Sequence, residues 1–227
     1  LSSTVGEAWA AHPSIVHRFK GGRDGELPNG SLINVGGLLY GTTYYGGGEG
    51  CGGIGCGTVF SIQPSESTSS HQAYTEKVIF AFQGSADGAE PLAALINVGD
   101  KLYGTTTKGG LGANCTGGCG TVFSIDPTTG AETLLYSFKG GSDGEYPSAS
   151  LLFVDGALYG TTVYGGPPEQ GTLFKVDLKS GRENVLYAFG DAGGDGAYPY
   201  ANLIKLGEFY MGRRFLAVVL STAPSFH

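Results

Sequence analysis

Short apolar runs alternate with glycine-rich polar stretches along this chain, and they recur in a fixed order. Leu38-Leu39-Tyr40-Gly41-Thr42-Thr43, Leu102-Tyr103-Gly104-Thr105-Thr106 and Leu158-Tyr159-Gly160-Thr161-Thr162 each lead through a Gly-rich stretch to Gly-Thr-Val/Leu-Phe, beginning at Gly57, Gly120 and Gly171. An apolar segment ending in Phe82, Phe138 or Phe189 follows, then an Asp-Gly turn, a proline and an Ala/Leu-rich run. The second unit reads as strands over 94–98, 101–107, 120–126 and 132–138, separated by a Gly-Asp turn, the Gly-rich loop 109–118 and Pro127-Thr128-Thr129-Gly130. Strands of Leu, Ile, Val, Phe and Tyr make a sheet apolar on both faces, so each unit must be covered by its neighbours. The expected fold is therefore all-β, a small β-propeller of about four four-stranded blades.

The Asp-Gly turns begin at Asp24, Asp87, Asp143 and Asp195, in steps of 63, 56 and 52 residues. Units are expected over about 20–82, 83–138 and 139–189, within one domain spanning 1–227. Residues 14–19 match the outer strand that ends at Phe82, Phe138 and Phe189, while 202–206 and 208–210 match the first two strands of a unit. If 214–221 supply a third strand, the last blade is 190–221 plus 14–19, and the N-terminal strand closes the ring. The tail departs from the pattern, reading Tyr210-Met211-Gly212-Arg213-Arg214-Phe215 where Tyr-Gly-Thr-Thr is expected. One codon choice for Met-Gly-Arg-Arg encodes Gly-Thr-Thr in a shifted frame, so 211–227 is expected to be an out-of-frame reading of a longer array.

Composition narrows the picture. The 42 glycines fall at repeat positions and act as turn punctuation. A net charge of −7 with no basic stripe argues against a nucleic-acid partner, and no apolar run is long enough for a membrane span. Cys51 and Cys56 share one Gly-rich loop, Cys115 and Cys119 the equivalent loop, and the third unit has Pro167-Pro168 and no cysteine there. Cysteines that come two to a loop or not at all read as local disulfides in an oxidising compartment, so the protein is expected to be secreted or at the cell surface. A four-cysteine zinc site across neighbouring units is the alternative.

Gly50-Cys51-Gly52-Gly53-Ile54-Gly55 matches G-x-G-x-x-G in form, but no predicted helix follows to hold a pyrophosphate. Of the four histidines only His17, on the predicted closing strand, is a candidate base, against the plainer reading of a packed strand histidine. Tyr40, Tyr103 and Tyr159 recur at one position and read as packing between units.

Leu-Tyr-Gly-Thr-Thr, Gly-Thr-Val-Phe and Phe-x-Gly-x-x-Asp-Gly-x-x-Pro resemble the tandem repeat of the choice-of-anchor GloVer proteins, bacterial surface or secreted repeat proteins, over about residues 14–210. The resemblance implies a secreted, propeller-like architecture and carries over no reaction or catalytic residue. The unit is more loosely similar to that of YVTN-type propellers, which implies that the Leu-Ile strand lines a central channel and that the Asp-Gly turns stand at its mouth. On that analogy Asp24, Asp87, Asp143 and Asp195 converge, with Glu26, Glu90 and Glu145 nearby, as ligands for a hard cation such as calcium. The competing reading of each Asp-Gly is an ordinary tight turn. Tyr146, Tyr198 and Tyr200 flank the turns and are the candidate ligand-binding residues.

Two functions follow as expectations. One is a binding or adhesion module for a small molecule or glycan, an oligomer if the ring is open. The other is a calcium-dependent hydrolase of lactones or esters, with Asp87, Asp143 and His17 as candidate catalytic groups and the cation polarising the carbonyl.

Overall fold

The computed structural model describes residues 15–65, 73–190 and 196–205, and the backbone of 216–218. It is all-β, built of successive antiparallel sheets. The first unit holds β1 (Glu26–Pro28), β2 (Ile33–Val35), β3 (Leu38–Tyr45), β4 (Thr58–Ser65) and β5 (Ala73–Ala81), with a tight turn over Gly50–Gly53, left-handed at Cys51 and Gly52, in its Gly-rich loop. The second holds β6 (Ile96–Val98), β7 (Lys101–Thr106), β8 (Thr121–Ile125) and β9 (Glu132–Ser137). The third holds β10 (Glu145–Pro147), β11 (Leu152–Val154), β12 (Ala157–Tyr164), β13 (Thr172–Asp177) and β14 (Glu183–Ala188). Last come β15 (Leu203–Lys205) and β16 (Leu216–Val218).

Strand order within each unit follows the chain, and one feature was not expected. The segment after the Asp-Gly turn is itself a short strand. β1 and β10 pair with the far ends of β3 and β12, Glu26 opposite Tyr45 and Glu145 opposite Tyr164, and in the second unit Ala89 bridges to Lys108. One edge of the sheet is thus two short strands in tandem. Three residues such as Glu-Leu-Pro carry no alternation from which a strand can be read.

The repeated words of the sequence acquire physical meaning in the register. Gly41, Gly104 and Gly160 stand opposite Phe60, Phe123 and Phe174 on the neighbouring strand. A Cβ on those glycines would come within 2.7, 2.7 and 2.5 Å of the phenyl ring, so glycine is what lets the ring lie across the strand. The second threonine of each Gly-Thr-Thr pairs its hydroxyl with the threonine of the following Gly-Thr: Thr43 with Thr58 and Thr106 with Thr121 at 2.8 Å, Thr162 with Thr172 at 2.7 Å. Thr43, Thr106 and Thr162 donate to the carbonyls of Tyr45, Lys108 and Tyr164, so the partner hydroxyl supplies the proton of the pair and both buried groups are satisfied.

The core lies between sheets. Tyr40, Val59 and Phe82 of the first unit pack with Leu95, Leu102, Phe123 and Ile125 of the second. Val122 and Phe138 of the second pack with Leu151, Leu158, Phe174 and Val176 of the third. Phe82 meets Phe123 edge-on at 5.1 Å and Phe138 meets Phe174 at 4.9 Å; Phe19 meets Phe60 at 4.9 Å in the same way.

The chain ends differ from expectation. Residues 15–20 occupy the place of a preceding outer strand but join no ladder. β16 pairs directly with β15, Leu203 opposite Val218, where the second strand of a unit belongs, and does not stand third. Among the described residues the ring is not closed. The expected strand at 208–210 and the rest of the tail lie outside them.

Candidate functional site

The first three Asp-Gly turns are each seated on a threonine pair. A Cβ on Gly25, Gly88 or Gly144 would fall 2.7, 2.4 or 2.6 Å from the side chain of Thr43, Thr106 or Thr162. The preceding aspartate braces the turn: Asp24, Asp87 and Asp143 each accept at Oδ2 from a backbone N–H four residues earlier, that of Lys20, Gln83 or Lys139, at 2.7 Å. The other oxygen meets His17 Nε2 at 3.2 Å, Ser85 N at 3.3 Å, or the Tyr136 hydroxyl at 2.6 Å. No group of three or more potential ligands among the described residues contains two of these aspartates, and Asp195 lies outside the described residues.

Each aspartate instead faces a glutamate on the outer strand of its own unit: Glu76, Glu132 or Glu183. These glutamates are pushed above the ordinary 4.5 first by burial and then by the aspartate, Glu132 to about 6 beside Asp87 and Glu183 to about 7 beside Asp143; Glu76 is raised beside Asp24. His17, Asp24 and Glu76 place ligand atoms within 4.8 Å of one another and could hold a cation. His17 also packs edge-on against Phe19, at 4.7 Å.

The raised glutamates have a consequence for stability. Between pH 4.5 and 7 the folded chain keeps protons that the unfolded chain has released, so this contribution is complete below the unfolded value and is lost as pH rises through 7. A tenfold difference in proton affinity between the two states corresponds to about 1.4 kcal/mol. Screening at a half-exposed side chain leaves about 1 kcal/mol for Glu183, or ~2–4 °C in a chain of this size. Melting should therefore occur higher at pH 5 than at pH 8, and Glu183→Gln should raise the pH 8 value by that amount and flatten the dependence. An unchanged slope in Glu183→Gln would exclude this origin.

The cysteines form two disulfides, Cys51–Cys56 and Cys115–Cys119, one in each equivalent loop. The four-cysteine zinc alternative is thereby removed. Each cystine packs on a glycine of the following turn, Gly84 or Gly140. In the third unit the side-chain amide of Gln170 takes the same place against Gly190.

The residue before each turn proline is held at positive φ without being glycine: Leu27 at 57°, Glu90 at 58°, Tyr146 at 59° and Tyr198 at 52°. Such backbone costs on the order of 1–3 kcal/mol and persists where the surroundings enforce it. Here the N–H of Glu90, Tyr146 and Tyr198 donates to the carbonyl of Cys56, Cys119 and Gln170 in the Gly-rich loop of the unit before. The strained residue thus presents its side chain at the junction of two units. At the first junction Glu90, buried, accepts from the Tyr44 hydroxyl at 2.5 Å and from Lys108 Nζ at 3.1 Å. Burial and this carboxylate together raise the Tyr44 phenol above its usual range.

Farther along, the face is aromatic. Tyr146 meets Tyr164 at 5.7 Å between ring centroids and Tyr164 meets Tyr198 at 5.6 Å, both edge-on. Tyr200 is raised above the usual phenol value by burial and then by Tyr164. Tyr164, Tyr198 and Tyr200 are 40–43% exposed. The structure so gathers Tyr146, Tyr198 and Tyr200 around Tyr164, a residue that does not stand out in the sequence. Its signal was its repeat position, which holds Tyr45 and Lys108 in the other units.

No curated protein matches this chain. Among solved structures, the crystal structure of TolB from Acinetobacter baumannii is similar with a TM-score of 0.37 at 14% identity, over 68% of this chain and 30% of that one. The chain therefore spans less than a third of that protein, and a likeness this distant carries no argument. Residues 54–214 match the Gloeobacter/Verrucomicrobia repeat. With well over half of its length matched in this way, the chain belongs to the Gloeobacter/Verrucomicrobia repeat family.

Proposed function

We propose that this chain is a secreted, propeller-type binding module whose ligand is a glycan, lying along Tyr146, Tyr164, Tyr198 and Tyr200. The observation that carries the reading is the chain of contacting rings Tyr146, Tyr164 and Tyr198, in which Tyr146 and Tyr198 stand on positive-φ backbone, with Tyr164, Tyr198 and Tyr200 exposed beside it. Aromatic rings give a sugar an apolar face to stack on, and their hydroxyls serve its oxygens. In this reading the sheets are blades around an axis. The inner strands meet, β2 with β6 and β11 with β15, and the tyrosines stand beside that inner edge. The disulfides support an oxidising compartment.

The calcium-dependent hydrolase draws less support. Asp24, Asp87 and Asp143 belong to three separate units, each occupied in bracing its own turn, and His17 has no nucleophile beside it among the described groups it touches. Calorimetric titration with cello-, xylo-, chito- and manno-hexaose should find a binder. Tyr164→Ala should then weaken it about tenfold, the ~1.4 kcal/mol of one lost stacking face, while EDTA leaves binding unchanged. Calcium-dependent turnover of a lactone with no binding of any of the four sugars would overturn the reading.

A further inference from the structure

We propose that copies of this chain join head to tail, the β15–β16 sheet of one copy seating on the open face of the first unit of the next. Three internal junctions show what that face requires. Leu95, Leu151 and Leu203 occupy one repeat position and are covered by the unit before them, at 1, 4 and 5% exposure. Leu32 holds the same position in the first unit and is 46% exposed. It lines an apolar groove with Ile15, Val16, Phe60 and Ile62. At the other end of the chain, Ile204 is 44% exposed, whereas its equivalents Ile33 and Ile96 pack against the core of the next unit. The described residues of one molecule thus expose both halves of an interface that the chain also makes within itself.

Residues 15–19 identify the partner. Phe19 lies on Phe60 as Phe82 lies on Phe123, so this segment stands where the outer strand of a preceding unit would be. Among the described residues that place has no inner strands, and β15 with β16 is a sheet of inner strands. The β15–β16 sheet of one copy and residues 15–19 of the next together compose one unit. Because the two surfaces differ, the contact is heterologous, producing a ring if the rotation closes and a filament if it does not. Surface apolar residues that close a repeated core in this way bind by the same burial that holds the units together.

Sedimentation velocity with the whole chain tests this. The wild type should sediment at twice the 23.3 kDa monomer mass or more, the mass growing with concentration. Leu32→Asp and Ile204→Asp each spoil one end and should each be monomeric, with unchanged circular dichroism because both side chains are already exposed. Mixing the two variants leaves one intact junction and should restore a dimer that grows no further. Should either aspartate variant unfold, Leu32→Asn and Ile204→Asn replace them in the same mixture. A wild type that stays monomeric throughout, its first face covered by its own C-terminal residues, would overturn the proposal. So would a mixture that fails to pair.

Discussion

Phe123→Ala should lower the stability of the chain by about 3–5 kcal/mol, the loss that follows when a fully buried phenyl ring is cut back to a methyl. Phe123 is fully buried and belongs to the core shared by the first and second units, where it meets Phe82 edge-on. It also lies across Gly104, whose absent Cβ leaves room for the ring. Truncation therefore opens a cavity at a junction, and both sheets lose a contact. Urea unfolding should show the midpoint falling with the slope preserved. A double-mutant cycle makes the reason specific. Gly104→Ala alone forces a Cβ to within 2.7 Å of Phe123 Cζ and 2.9 Å of Leu95 Cδ2, which should cost about 1–3 kcal/mol. In the Phe123→Ala background the added methyl enters the cavity and its cost should fall, leaving only the contact with Leu95. Independent, additive losses would show that the glycine and the ring are not one unit of packing.

Gly88→Ala should cost about 2–5 kcal/mol, from positive-φ backbone strain together with overpacking. Gly88 sits at a φ of 101°, and its Cβ would fall 2.4 Å from Thr106 Oγ1 and 2.8 Å from Thr121 Oγ1. Those hydroxyls are paired with each other and buried, so neither can turn away without leaving a polar group unsatisfied. The effect should spread beyond the turn. Ala89 bridges to Lys108 and Glu90 holds its N–H on Cys56, so displacing Gly88 also loosens the Tyr44–Glu90–Lys108 contacts. Hydrogen exchange should show faster exchange at Ala89 and Glu90 as well as lower global stability. Gly99→Ala is the control: its φ is also positive, at 60°, but nothing lies within 4 Å of its Cβ, so only the conformational part should appear. Equal losses in the two variants would remove the threonine pair from the explanation.

The all-β class, the place of each main strand and the disulfide loops could be read along the chain because each rests on residues close in sequence. Val98 and Lys101 are joined by a two-residue turn, and the two cysteines of each pair lie four or five positions apart. The short strands β1 and β10 escaped, having three residues each and a proline at the end. The aspartates were legible as turn residues. Their glutamate partners were not, since Asp24 and Glu76, or Asp143 and Glu183, meet only after the outer strand has folded back across the unit. The tyrosine row was half legible. Tyr146 and Tyr198 stood out beside the turns, whereas Tyr164 joins them only because the turn strand pairs with the far end of β12.

By itself, then, the order of residues determined which segments are strands, where the chain turns, and that every unit needs a neighbour to cover its apolar faces, because these follow from local backbone preference and from the period of the pattern. Only the tertiary structure decided which side chains meet at the junctions: a tyrosine row at one of them, an acid pair in each of the first three units, and, among the described residues, an exposed Leu32 where its repeat equivalents are buried. Those contacts join residues tens of positions apart. Their chemistry depends on the register and stacking of whole sheets, and no local stretch of sequence encodes it.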